Sequence, residues 1–484
     1  MIMLGAGSAQ GAIDGILSMA GKLGDWISEA DSFLWGAPLI VILIGTHLYF
    51  TFRLKFIQKY TFRGIRLTMQ KEPSASGHVS PLGALAVALA STIGTGNIVG
   101  VATAVACGGP GAVFWCWMTG VLGISTKYAE SLLAVKFRVK GADGKIHGGP
   151  MYAMANGFRH KKIGGFLAVL FCIFTIGSAM LGIGNMTQSN AVAVVVQETF
   201  DVPNWITGVF LVVVVGLVVL GGLKVIARVC TAVVPFMAVV YVAGCVWILC
   251  INHEFFWQAV CLIVKSAFSP QAATGGFIGS SVMIAARFGV ARGLFSNESG
   301  MGSAPIVAAS AQTRNPVRQA LISSTGTFWD TVVICAMTGL VIVTSVLADS
   351  NINATDKMLL TQASFARIPG IGRYILAFGI FSFASTTIFG WFYYGEQALG
   401  YLTKSEIALW TYKILFVITV FIGTITTLTA VWNFADLTNG LMVIPNVIAL
   451  FVLQGVIVAE TKKYLWHGSV DDADPDFAGD GGEK

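Results

Sequence analysis

Apolar residues along this chain fall into long runs separated by short polar stretches, and the run lengths are those of membrane helices. Crossing the hydrocarbon core of a bilayer takes about 20 apolar residues of helix. Eleven segments meet that requirement: 33–52, 81–106, 110–135, 163–198, 205–223, 229–251, 272–309, 320–347, 371–402, 407–429 and 439–459. Residues 11–30 have apolar positions at helical spacing but are too polar to span, which predicts a helix lying along the membrane surface. The expected organisation is an all-α polytopic membrane protein. It has a surface segment at 1–32, a transmembrane body at 33–459, and an acidic tail at 460–484 whose D-D-A-D-P-D run reads as disordered.

Two of the eleven runs are interrupted. The second carries S-T-I-G-T-G-N-I-V-G, Ser91 to Gly100, inside a run from Pro81 to Ala106 that has no charged residue and no histidine. The seventh carries G-G-F-I-G-S-S at Gly275–Ser281 and N-E-S-G-M-G-S-A-P at Asn297–Pro305. Unpaired backbone in hydrocarbon costs several kcal/mol, so a broken helix survives only where protein or a wet cavity surrounds it. Such breaks near the midplane mark binding sites in secondary transporters. The two broken segments lie five apart. With the first span set aside as an accessory helix, 81–251 and 272–459 become two five-helix halves, each opening on a broken helix. An odd number of spans per half forces the halves into opposite orientations, an inverted repeat.

Loop charge supports this count. Arg53, Lys55, Lys59, Arg63, Arg66 and Lys71 follow the first span; Lys136, Arg138, Lys140, Lys145, Arg159, Lys161 and Lys162 follow the third. Lys224 and Arg228 follow the fifth, Arg314 and Arg318 the seventh, Lys404 the ninth, and Lys462 and Lys463 the eleventh. Loops after even-numbered spans carry instead Glu198, Asp201, Glu254, Asp349, Asp356 and Asp436. Positive charge accumulates on the cytoplasmic side, so the N-terminus is expected outside and the C-terminus inside.

Composition narrows the function. Of 484 residues, 55% are hydrophobic and 11% charged, with mean hydropathy +0.76, whereas a soluble chain carries about 25% charge. The net charge of +6 is spread among loops rather than gathered into a nucleic-acid patch. The eight cysteines lie mostly in apolar runs with no CxxC spacing, as small buried hydrophobes do. No basic region leads into an apolar core and cleavage site at the start, so no cleaved signal peptide is expected. The six histidines are scattered without HExxH, no carboxylates pair on one face, and no Walker A sequence is present, which argues against an enzyme or an ATPase.

The candidate chemistry lies at the breaks. In the second span, the N–H groups of Thr95 and Gly96 would open a half-helix whose positive end suits a carboxylate. Ser91, Thr92 and Thr95 supply hydroxyls around it and join the substrate-binding set. The carbonyls from Ala90 to Ile93 lose their helical partners and point out as hard oxygen ligands for a cation. In the ninth span, F-A-S-T-T-I-F-G-W at 383–391 offers adjacent hydroxyls on Thr386 and Thr387, with Trp391 one turn from Thr387. Those hydroxyls suit a cation, or they bond their own helix. In the fourth span, N-M-T-Q-S-N at 185–190 is a polar island; Gln188 either binds a ligand or pins two helices together. Arg287, Arg292, Asn297 and Glu298 in the seventh span are expected near its cytoplasmic end, with Arg292 and Glu298 as a gate or structural pair. Asp330 and Glu130 are read the same way.

At these residues the chain resembles the alanine or glycine:cation symporter family, also called sodium:alanine symporters. The run G-G-P-G-A-V-F-W-C-W-M-T-G-V-L-G, Gly108 to Gly123, is similar to that family's signature, with Cys116 where a methionine is more usual. T-I-G-T-G-N-I, G-G-P-M-Y, G-N-M-T-Q-S-N-A, R-G-L-F-S-N-E-S-G-M-G-S-A-P and G-W-F-Y-Y-G-E also match, from about residue 80 to residue 400. The resemblance implies the leucine-transporter fold with one extra N-terminal helix, a bacterial inner membrane location, and sodium- or proton-driven uptake of small neutral amino acids. Carried over by position, Thr95, Gly96, Gln188 and Trp391 contact substrate, and Ala90, Ile93, Thr386 and Thr387 bind the cation. Sodium is expected over protons, because 81–106 offers no carboxylate to titrate and no lysine as a fixed cation. No cofactor is expected. A proton-coupled symporter is the alternative, and a passive channel, which would need rings of charge or carbonyls, a more distant one.

Overall fold

The computed structural model describes residues 22, 24–70, 76–141, 144–270, 277, 279–355, 359–426 and 429–475. Helices account for most of it, the principal ones being α1 (Gly24–Arg53), α2 (Pro81–Thr92), α3 (Gly96–Gly108), α4 (Gly111–Lys136), α5 (Lys161–Leu181), α6 (Met186–Phe200), α7 (Asn204–Leu220), α8 (Gly222–Ile251), α9 (Val282–Asn297), α10 (Pro305–Ala308), α11 (Pro316–Ala348), α12 (Gly372–Leu402), α13 (Glu406–Ile425), α14 (Thr429–Val452) and α15 (Gln454–Thr461); shorter helices at Thr61–Thr68, Pro150–Gly157, Phe256–Phe268 and Leu359–Phe365 lie between them. A two-stranded ribbon, Val139–Lys140 against Ile146–His147, closes the loop after α4. Seven helical stretches among the described residues are long and apolar enough to cross a membrane, or eight when the bent pair α2–α3 counts as one span. The others fall short for physical reasons: α4 carries Lys127, Glu130 and Lys136, α7 has 17 residues, and α9 is cut short by a break.

The apolar surface is divided as a membrane bundle requires. Phe33, Val41, Leu217, Val239, Met283 and Ile407 face outward, from 67% to 80% exposed, whereas Thr386, Thr387, Asn97, Asp330 and Glu298 are at most 1% exposed. Polar atoms therefore sit at the centre and hydrocarbon at the rim, the reverse of a soluble core.

The two interrupted helices cross at their interruptions. α2 and α3 meet at a 51° bend over Ile93–Thr95. α9 ends at Asn297 and the helix resumes only at Pro305. A Cβ on Gly96 would come within 3.1 Å of Phe295 Cδ1 and 3.4 Å of Ser296 Cα, so the breaks touch closely here. The segment leading into α2 also meets the segment leaving α10, where Val79 pairs with Ala311 and Gln312 N donates to Val79 O at 2.9 Å. The start of one broken helix therefore lies beside the end of the other.

Some boundaries differ from expectation. Of the expected surface segment, residues 1–21 and 23 lie outside the described residues, and from Gly24 the chain is already the helix that becomes α1. The last span is shifted: α14 covers Thr429–Val452 rather than 439–459, which puts Asp436 inside a helix and not in a loop. A third interruption, Gly182–Asn185 between α5 and α6, falls in the polar island of the fourth span. The tail is not disordered from residue 460. The helical path runs on to Trp466, and the segment after it docks: Asn315 Nδ2 donates to Val470 O (2.9 Å) and Asp472 O (2.8 Å), and Asp471 pairs with Arg318. Asp474 is buried against Lys136, 3.5 Å away. The acidic run finds fixed basic partners at the helix ends, which offset the cost of ordering it. Residues 476–484 lie outside the described set.

Candidate functional site

At the first break, Ser80 caps α2 by accepting from Gly83 N, Pro81 starts the helix, and Ile93 leaves it with ψ near 93°. The turn is fastened by Asn97, whose Oδ1 accepts from Gly94 N at 2.9 Å. Beyond it, Gly96–Gly100 is a widened π-helical turn. The Thr95 N–H points at Gln188, whose Oε1 accepts it at 3.2 Å, while Gln188 Nε2 donates to Ile183 O in the break between α5 and α6. The Thr95 hydroxyl is buried and has no hydrogen-bond partner among the described residues. A cavity of about 80 Å³ runs from Thr95 between Ile98, Val194, Ile380 and Trp432 to Glu198 and Gln362, which hydrogen-bond to each other.

The cation candidates converge in part. Thr387 Oγ1 lies 2.9 Å from Ala90 O, 3.3 Å from Ile93 O and 2.9 Å from Phe383 O of its own helix, so α12 meets the freed carbonyls of α2. A Cβ on Gly94 would be 2.7 Å from that hydroxyl, so a side chain there has to push it aside. Thr386 is not brought to the same point. Its hydroxyl bonds Ser382 O and Phe383 O at 3.0 Å and faces Met237 of α8. Successive helix positions are separated by about 100°, so two adjacent threonines diverge.

Substrate candidates divide the same way. Thr95, Gly96 and Gln188 gather at the break, and Trp391 closes off the neighbouring side, packed so tightly on Gly184 that a Cβ there would be 2.5 Å away. Ser91 and Thr92 do not reach the site: their hydroxyls bond back to Val87 O (2.8 Å) and Ala88 O (3.1 Å), and Ser91 packs on Gly390.

The second break brings in groups that sequence reading had placed elsewhere. Glu298 adopts φ of +53°, and Gly300 and Gly302 follow at +95° and +81°, so the chain doubles back through the left-handed region. Glu130 of α4 holds this turn, accepting from Gly300 N (2.5 Å) and Gly302 N (2.9 Å), and Lys127 Nζ donates to Glu298 O at 2.9 Å. The Glu298 carboxylate faces the centre, where it accepts from Trp391 Nε1 at 3.1 Å and from Ser303. Glu298 therefore lies beside the Trp391 wall, not near one end of the span, and it does not pair with Arg292. Arg292 bonds Asp436 of α14 at 3.2 Å, above Phe295, whose ring stacks on Trp432. The signal for this turn was present in the glycine spacing of N-E-S-G-M-G.

The arrangement can hold a small zwitterion and a cation side by side. It offers N–H groups and Gln188 for a carboxylate, Glu298 for an ammonium, and three hard oxygens for a metal ion. Among the described residues no group of three or more His, Cys, Asp or Glu side chains is placed to bind a metal.

Residues 20–478 match the profile of the sodium:alanine symporter family. An uncharacterized transporter of Haemophilus influenzae is 47% identical over 93% of this chain and 98% of its own. The sodium/alanine symporter AgcS of Methanococcus maripaludis is 43% identical over 90% of this chain and 96% of its own. Among solved structures, MhsT in complex with L-phenylalanine superposes with a TM-score of 0.53 at 15% identity, covering 81% of this chain and 94% of that one, a likeness of fold.

Proposed function

Because the chain belongs to the sodium:alanine symporter family, and so is a multi-pass membrane transporter rather than an enzyme, we propose that it imports alanine, glycine or a similar small neutral amino acid together with sodium. The observation that carries the reading is the first break. Ala90 O, Ile93 O and Thr387 Oγ1 converge one turn from the Thr95 N–H and Gln188. In this reading the substrate carboxylate takes the Thr95 and Gly96 N–H groups with Gln188, and its ammonium turns to Glu298. Trp391, packed on Gly184, walls one side of the site. Sodium at the adjoining oxygens fixes α2 against α12, which favours the conformation that binds substrate. The topology that goes with it has eleven spans in a plasma membrane, the N-terminus outside and the C-terminus inside, α1 accessory, and inverted halves at about 81–251 and 272–459.

Uptake of radiolabelled alanine into proteoliposomes tests this. Uptake is expected to collapse when choline replaces sodium and to survive a proton uncoupler; the opposite pattern would make the coupling ion a proton. Thr387→Ala is expected to raise the apparent sodium constant about 10- to 100-fold, the worth of one bond to a charged group. Thr386→Ala should shift it less. Equal shifts would remove the asymmetry this site rests on. Trp391→Phe, which keeps the wall but leaves a Glu298 oxygen without its indole donor, should raise the apparent alanine constant about tenfold. An unchanged constant would put Glu298 outside the site.

A further inference from the structure

The acidic run after Trp466 docks where the two broken helices meet at the basic end of the bundle. There the segment entering α2 is bound to the segment leaving α10: His78 N donates to Ser310 O at 2.8 Å, and Gln312 N to Val79 O at 2.9 Å. Arg138, just past α4, fastens the same strip, donating to Ala309 O at 3.1 Å, Ala311 O at 2.9 Å and Ser76 O at 3.0 Å. The next residues, Thr313 to Asn315, lead into α11, and the end of the chain sits on them. Asn315 caps α11 by accepting from Arg318 N at 2.9 Å, and the same side chain donates to Val470 O and Asp472 O. Asp474 N donates to Arg314 O at 2.9 Å, and Val470 is fully buried.

Charge fits charge across this contact. Asp471 pairs with Arg318, while Asp474 lies 3.5 Å from Lys136 of α4 and 3.7 Å from Lys463. The fastening is only half buried. The side chains of Arg318 and Asp474 are 2% and 3% exposed, but those of Asp471 and Lys463 are 60% and 53% exposed, so salt reaches each pair. Pairs open to water hold weakly, and they are screened over about 10 Å at 0.1 M salt and about 3 Å at 1 M. Asn315 and Val470 thus make the seat specific, and the ion pairs make it releasable.

The hollow at Thr95 leads away along α3, on the other side of the first break from this strip. A substrate held at the breaks can leave past α2 only when the strip that ties α2 to the exit of α10 parts. We propose that Val470–Asp474 is a latch on this closure. Docked, it holds the strip at 309–315 and slows opening toward the cytoplasm; rising ionic strength on that side releases it. Turnover then follows the salt content of the compartment that receives the substrate. The proposal rests on the orientation proposed above, with the C-terminus inside.

Exchange of labelled for unlabelled alanine, with alanine and sodium saturating and equal on both sides, reads turnover in right-side-out and inside-out membrane vesicles. Choline chloride raised from about 0.1 to about 1 M on the cytoplasmic face, against sorbitol of equal osmolality, is expected to speed exchange about three- to tenfold. That is the worth of two or three exposed pairs. The same salt on the outer face should change nothing. Asp471→Asn and Lys463→Gln, at exposed positions, should exchange faster than wild type at low salt and gain less from added salt. Their apparent alanine constants should not move. Variants that exchange no faster than wild type at low salt, whatever their melting temperatures, make the tail a brace and overturn the latch. Wild-type exchange indifferent to salt on both faces overturns it as well. Salt that acts only from the outer face overturns the orientation on which the proposal stands.

Discussion

Gly94→Ala is expected to reduce alanine uptake by about 10- to 100-fold while the purified protein elutes and melts like the wild type. The added methyl would lie 2.7 Å from Thr387 Oγ1 and 3.1 Å from Gln188 Oε1. Overpacking of this kind costs roughly 1–3 kcal/mol, and 1.4 kcal/mol is a factor of ten. The atoms that must yield are side-chain ends. Moving the Thr387 hydroxyl draws it off the Ala90 and Ile93 carbonyls, and moving Gln188 draws it off the Thr95 N–H. The damage therefore falls on binding rather than on folding, and the apparent constants for sodium and alanine should rise together. A rise in only one would mean that the two ligands do not share this corner.

Glu130→Gln should be the more destabilising change. The Glu130 carboxylate accepts one N–H on each oxygen, from Gly300 and Gly302. A carboxamide can accept only one of them and turns its own N–H₂ toward the other, and an unpaired buried N–H costs about 1–3 kcal/mol. It also removes a negative charge near Lys127, which is 2% exposed. The expected outcome is a lower unfolding temperature by intrinsic fluorescence together with an uptake loss exceeding about tenfold. Sodium or alanine should recover part of the stability by mass action. Wild-type melting and uptake in this variant would show that the turn at 298–302 holds itself.

The first break was legible because its chemistry is local. Glycines and hydroxyls interrupting a charge-free run leave only backbone groups to supply ligands, so Ala90, Ile93 and Thr95 could be named from one segment. Rotation about the helix axis was not legible: Ser91 and Thr92 share the motif but face neighbouring helix surface, and Thr386 diverges from Thr387. The second break was harder to read because its residues answer to distant parts of the chain. Glu298 lies six positions after Arg292 and looked like its partner, but a left-handed turn aims it at Trp391, and Arg292 finds Asp436, which sequence reading had put in a loop. Glu130 and Asp330 looked like interfacial charges because nothing in their own spans shows what they face. The likeness to the family supplied the fold; it did not supply these pairings.

α1 is pinned at two heights. Eleven residues in, the Trp35 indole donates to the Asp436 carbonyl of α14 at 2.7 Å, and three turns on His47 Nδ1 meets Thr126 Oγ1 of α4 at the same distance. Twelve residues of helix separate the pins by about 18 Å. A strut fixed to two bodies converts any sliding between them into its own tilt. Its outer face, with Phe33, Val41 and Phe52 each at least 65% exposed, would move with that tilt, and tilt is the coordinate through which a span meets bilayer thickness.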